Sequence, residues 1–140
     1  MSYGLQRYQK ARAETTSRED ILLMLYEGAI RFLNQSIVEF EDKGNLAEHK
    51  RLLGRGRSII EEFQNTLDFE KGMEIATNLF ELYEYMLYAL TQANVTRDME
   101  HVRSVIRVLE ILLDGWRGAA KQVKSGSVNL NPLGMRLEGV

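Results

Sequence analysis

From Leu23 onward an apolar side chain returns every three or four positions: Leu23, Tyr26, Ile30, Leu33, Ile37 and Phe40. That alternation marks one face of a helix. A second seam, Leu22, Leu25, Ala29 and Phe32, lies beside it, and Ile21 and Met24 widen the apolar surface further. Glu27, Arg31, Asn34 and Gln35 leave only a narrow polar stripe. The pattern predicts a helix from Arg18 to Asp42. Thr16 stands three residues before Glu19, a capping-box spacing, and Ser17 is an equally good N-cap. Gly44 suits the left-handed position beyond the last turn.

Three more helices follow. The second is expected from Asn45 to Leu67, then a loop over Asp68 to Gly72. The third is expected from Glu74 to Asn94. Ile75, Leu79, Leu82, Met86, Ala89 and Ala93 form one of its seams; Ala76, Phe80, Tyr83, Leu87 and Leu90 form the other. The fourth, N-capped by Asp98, is expected to end near Lys124, with Gly126 beyond it. Its inward residues are Val102, Val105, Leu109, Leu112, Trp116 and Val123. Short connections favour antiparallel neighbours. The expected fold is all-α: an antiparallel four-helix bundle over residues 17–124, preceded by an N-terminal arm (1–16) and followed by a flexible tail (125–140).

The first and third helices carry more apolar surface than one bundle stripe requires. Full burial in the core is one reading; cover by the arm, another subunit or a client is the other. Glycines inside the helices point the same two ways. Gly56 reads as a tight helix–helix contact, and Gly28, flanked by the apolar seams, as a place where another backbone approaches closely.

Composition narrows the function. The chain has 140 residues, 44% of them hydrophobic and 27% charged, as in an ordinary globular domain. No apolar run is expected to reach the ~18–20 residues of a membrane span, and residues 1–10 lack the apolar core of a secretory signal. There is no cysteine, which excludes thiol chemistry and permits a reducing compartment. A net charge of −2 does not favour nucleic acid or an anionic membrane. The two histidines, His49 and His101, belong to no Glu-x-x-His pair, and no phosphate-binding glycine loop is present. No catalytic residue, metal ligand or cofactor is expected.

Glu19 to Leu33, EDILLMLYEGAIRFL, resembles the first helix of the flagellin-specific export chaperones of the FliS family. Thr66 to Met86, TLDFEKGMEIATNLFELYEYM, is similar to that family's loop and third helix. Tyr8 to Ser17, YQKARAETTS, resembles its tyrosine-bearing arm, and the likeness continues through LLDGWRGA, covering roughly residues 8–123. Two departures stand out. Arg18 replaces a proline usual at the start of the first helix, and Met73 stands where a second glycine often follows Glu-Lys-Gly.

The resemblance implies a cytoplasmic, non-enzymatic chaperone. It would bind the disordered C-terminal region of flagellin, prevent premature polymerisation and help deliver the subunit to the type III export gate. A helical bundle with surplus apolar grooves suits helix-in-groove recognition. The expected client groove lies on the first and third helices: Ile21, Met24, Leu25 and Gly28 on one, Leu79, Tyr83 and Met86 on the other. Leu25 and Leu79 have pure core as their alternative. The resemblance further implies that the arm, with Tyr3, Leu5 and Tyr8, covers this groove when empty, so Tyr8 joins the candidate set; a disordered leader is the alternative. A homodimer of the free protein and an export-gate partner complete the expectations. The rival reading is a structural or regulatory bundle that self-associates through the same surface.

Overall fold

The computed structural model describes residues 17–124, and the expectations for the arm and the tail lie outside them. Four helices follow in order: α1 (Arg18–Glu41), α2 (Leu46–Asn65), α3 (Phe69–Thr96) and α4 (Glu100–Lys124). They run alternately up and down, each packed on the next and α4 closing back on α1. This is the antiparallel bundle expected from the sequence. α1 and α3 occupy diagonal corners and have no side-by-side contact, and the same holds for α2 and α4.

Each helix begins where a short polar side chain can satisfy its free N–H groups. At α1 the choice falls on Ser17: its Oγ accepts from the Asp20 N–H at 3.1 Å, and the Asp20 carboxylate accepts from the Ser17 N–H at 3.4 Å. Asn45 caps α2 and Asp98 accepts from the Glu100 N–H at the start of α4. Gly44 adopts φ +62°, as its place after α1 requires.

The expected loop at 68–72 is different in the structure. Asp68 accepts from the N–H groups of Glu70 and Lys71, so helix begins at once with Phe69. The break falls later, at Met73, where φ 48° and ψ −120° kink α3. The capping carboxylate outweighs the loop tendency of Gly72 and moves the irregularity one residue onward.

Polar ties on the surface fix the registers. Arg117 pairs with Glu27 at 3.3 Å and Arg103 with Glu41, joining opposite ends of α4 and α1. Arg57 donates to the Leu87 carbonyl and to Thr91, and Gln64 donates to Glu84 at 2.7 Å, joining α2 to α3. Tyr85 and Ser104 hydroxyls meet at 2.8 Å between α3 and α4. Between α1 and α2, His49 Nδ1 lies 2.8 Å from the Ser36 carbonyl. Its other ring nitrogen is buried without a partner among the described residues, an arrangement that costs about 1–3 kcal/mol.

Within the 24-residue α1 an 18-residue stretch reaches a mean hydropathy of 1.2, enough by length and composition alone to cross a membrane. In the fold it is a core helix, with Leu22, Tyr26, Ala29, Leu33 and Ile37 buried against its neighbours. Two overlapping apolar seams raise its mean hydropathy without forming an uninterrupted apolar run.

Candidate binding surface

The α1 members of the candidate set are brought together. Ile21, Leu25, Gly28 and Phe32 recur at steps of four, three and four, so they form one row along the helix. Ile21, Leu25 and Phe32 are half-buried, and Met24 beside them is exposed. The row borders α2: a Cβ built on Gly28 would lie 3.8 Å from Ile59 Cδ1 and 3.8 Å from the Arg31 guanidinium. That guanidinium also sits 5.6 Å from the Phe32 ring centroid, a cation–π distance. The result is an apolar edge of Ile21, Leu25, Phe32 and Ile59, with room for no more than a methyl group at Gly28 and a cationic rim at Arg31.

The floor beneath it is tight. A Cβ on Gly56 would fall 2.6 Å from Leu33 Cδ2 and 3.6 Å from the Ala29 carbonyl oxygen. Gly56 is therefore the close α1–α2 contact the sequence suggested. Gly28 is buried but leaves ordinary contact distance around a methyl group, so it is the looser of the two.

The α3 members are not brought to this edge. Leu79 is buried, and Tyr83 and Met86 are fully enclosed, with 0% exposure. The sequence groups these residues with the α1 set in one groove, whereas the structure sets them in the core on the helix diagonal to α1. Diagonal helices meet only through the core, so their facing residues pack instead of lining a surface. Tyr83 illustrates this: its hydroxyl meets that of Tyr26 on α1 at 2.5 Å. Phe63 stacks on Tyr26 at 4.3 Å and Trp116 lies 6.5 Å away. Burial pushes the Tyr26 phenol up to about 12, only partly offset by the neighbouring Tyr83 hydroxyl and Trp116 indole. Burial pushes Tyr83 well above the usual phenol range too, reinforced by Tyr26. Tyr8 lies outside the described residues.

Phe32 and Ile59 join this edge although the sequence pattern alone does not single them out. Phe32 belonged to a recognised seam but not to the site. Ile59 lies on α2, half-buried, three residues beyond Gly56. The available signal is the Ile59-Ile60 doublet: consecutive helical residues point 100° apart, and with Ile60 fully buried Ile59 falls at the margin of the core-facing stripe, half-buried. Among the described residues no group of three or more His, Asp or Glu side chains converges to hold a metal.

Comparison with known proteins follows the same lines. The family model for the flagellar protein FliS matches residues 1–123. The flagellar secretion chaperone FliS of Campylobacter jejuni is 33% identical over 110 residues, 79% of this chain and 85% of its own. That of Salmonella typhimurium is 32% identical over 122 residues, 81% of this chain and 87% of its own. A crystal structure of a flagellar chaperone from bacteria superposes with TM-score 0.69, at 23% identity, over 85% of this chain and 98% of its own.

Proposed function

The chain belongs to the FliS family and is a flagellar export chaperone; from that premise we propose that its client is the C-terminal segment of flagellin, bound along the α1–α2 edge. The observation that carries the reading is the half-buried row Ile21, Leu25 and Phe32 facing Ile59 across Gly28. An amphipathic helix reads such a surface with side chains at i, i+3, i+4 and i+7. The missing side chain at Gly28 keeps the edge low between Leu25 and Phe32, so that a client segment can lie close over it, and Met24 extends contact outward.

The mechanism is binding without a chemical step. A disordered client gains helix as it docks, so part of the contact energy offsets its ordering entropy. While docked, the segment is withheld from polymerisation in the cytoplasm. Delivery to the export gate then requires release, which a modest net affinity permits.

The test is a titration of the full chain with a peptide of the flagellin C-terminal region. Calorimetry is expected to give one-to-one binding, and circular dichroism a rise in helicity beyond the sum of the parts. A chain that ignores the peptide and only self-associates in light scattering would favour the rival bundle reading.

A further inference from the structure

At the end of the bundle where α2 passes into α3, Leu67, Asp68, Phe69, Glu70 and Phe80 help line a notch of about 580 Å³. The Phe69 and Phe80 rings meet edge to face at 6.0 Å, yet they remain 50% and 38% exposed. The notch depends on the kink. Met73 holds φ 48°, a region that penalises a residue with a Cβ, and so keeps the Phe69–Gly72 turn out of line with the rest of α3. Its rim is acidic: Glu70 has no ion-pair partner among the described residues, and Asp68 lies beside it. An apolar pair under a free carboxylate calls for an apolar segment bearing a cation.

Such a segment exists in this chain. Residues 125–140 contain Met135-Arg136-Leu137, preceded by Leu130 and Leu133. α4 ends at Lys124 at the same end of the bundle as the notch, since the helices alternate in direction. The Tyr85–Ser104 register places its last turn level with Phe69 on the adjoining helix. Sixteen residues reach up to about 50 Å when extended, whereas packed helices stand about 8–10 Å apart. The match to the FliS family model stops at residue 123, so this tail is a property of the chain outside that match. We infer that Met135-Arg136-Leu137 docks in the Phe69–Phe80 notch of its own chain, with Arg136 against Glu70.

The test uses full-length protein throughout. In a Met135→Ser/Leu137→Ser variant the notch is left open, and a synthetic peptide of residues 125–140 is titrated in, followed by amide shifts in NMR. The shifts are expected at Glu70 and Phe80. Wild-type chain is expected to bind the same peptide at least about ten-fold more weakly, because its own tail competes at an effective concentration near the millimolar range. Phe80→Ser in the open variant is expected to abolish binding, and Arg136→Glu in the peptide to weaken it.

Absence of binding to the open variant, binding unaffected by Phe80→Ser, or shifts confined to the α1–α2 edge would overturn the inference. So would occupancy that depends on protein concentration, which assigns the notch to a second copy, or displacement by a peptide of residues 1–16. Titrating the flagellin peptide into the same variants keeps the two questions apart. If client affinity is retained while the tail peptide fails to bind, only the tail docking is lost.

Discussion

The hydroxyls of Tyr26 and Tyr83 meet 2.5 Å apart in the middle of the bundle, joining two helices that share no face. Each is the other's partner in a setting where water has no access. Removing one hydroxyl strands its mate, whereas removing both leaves two rings of nearly the same shape. Tyr83→Phe is therefore expected to destabilise by about 1–3 kcal/mol. The double variant Tyr26→Phe/Tyr83→Phe is expected to cost less than the two single changes summed. A double-mutant cycle by urea denaturation measures the coupling. Additive effects would mean that the hydroxyls do not act as a pair.

The same pair sets an alkaline limit. Tyr26 titrates at about 12 in the folded chain against 10.0 for the free side chain. The neutral phenol is thus the form that the fold favours. Below pH 10 the contribution is complete. From pH 10 to 12 the unfolded chain releases its proton while the folded chain keeps it. Stability is expected to fall across that window by up to roughly 1.4 kcal/mol per pH unit. Tyr83, also raised, adds to the slope. Urea midpoints taken from pH 9 to 12 are expected to drop more steeply in the wild type than in Tyr26→Phe/Tyr83→Phe. Equal slopes would exclude the pair as the cause.

Met73 gives a prediction of the opposite sign. Its φ of 48° with ψ −120° is a glycine conformation, and its side chain is 71% exposed, so little packing is lost on truncation. Strain of this kind costs about 1–3 kcal/mol, and glycine returns part of the gain to the unfolded chain's entropy. Met73→Gly is expected to stabilise by about 1 kcal/mol in urea melts, whereas Met73→Val destabilises by a similar amount because of its branched Cβ. A destabilised glycine variant would mean that the methionine side chain makes a contact worth more than the strain.

The contrast between Met73 and Tyr83 marks what a sequence carries. The periodicity of α3 marks most of its buried residues, although Ile75 and Phe80 of its seams are exposed, and Asp98, Ser17 and Gly44 mark helix boundaries. What periodicity omits is the partner. It tells which side of a helix turns inward, not which helix lies opposite. Periodicity therefore groups Tyr83 and Met86 on α3 with Ile21 and Gly28 on α1, although the two α3 residues are enclosed in the core. Ile59 was overlooked because the edge it completes exists only when α2 lies against α1. The kink was misplaced for another reason: Gly72 is the obvious breaker, yet Asp68 caps a helical turn that carries straight through it.

Gly28 and Gly56, one on each side of the α1–α2 contact, separate folding from binding. A Cβ at Gly56 would press to 2.6 and 2.9 Å on Leu33, which is fully buried and cannot swing aside. Gly56→Ala is expected to destabilise by about 1–3 kcal/mol through overpacking, despite the better helix propensity of alanine. At Gly28 the nearest atoms stand 3.8 Å from the same point, so Gly28→Ala is expected to be neutral or to stabilise by up to about 1 kcal/mol. Gly28→Leu goes further and raises the low stretch of the edge between Leu25 and Phe32. Once folded, that variant is expected to bind the flagellin peptide at least ten-fold more weakly, a loss of about 1.4 kcal/mol. Thermal melts and peptide titration of the three variants give the answer. Wild-type affinity in folded Gly28→Leu would remove the α1–α2 edge from the client site, and a sharp loss of stability in Gly28→Ala would make Gly28 a packing residue like Gly56.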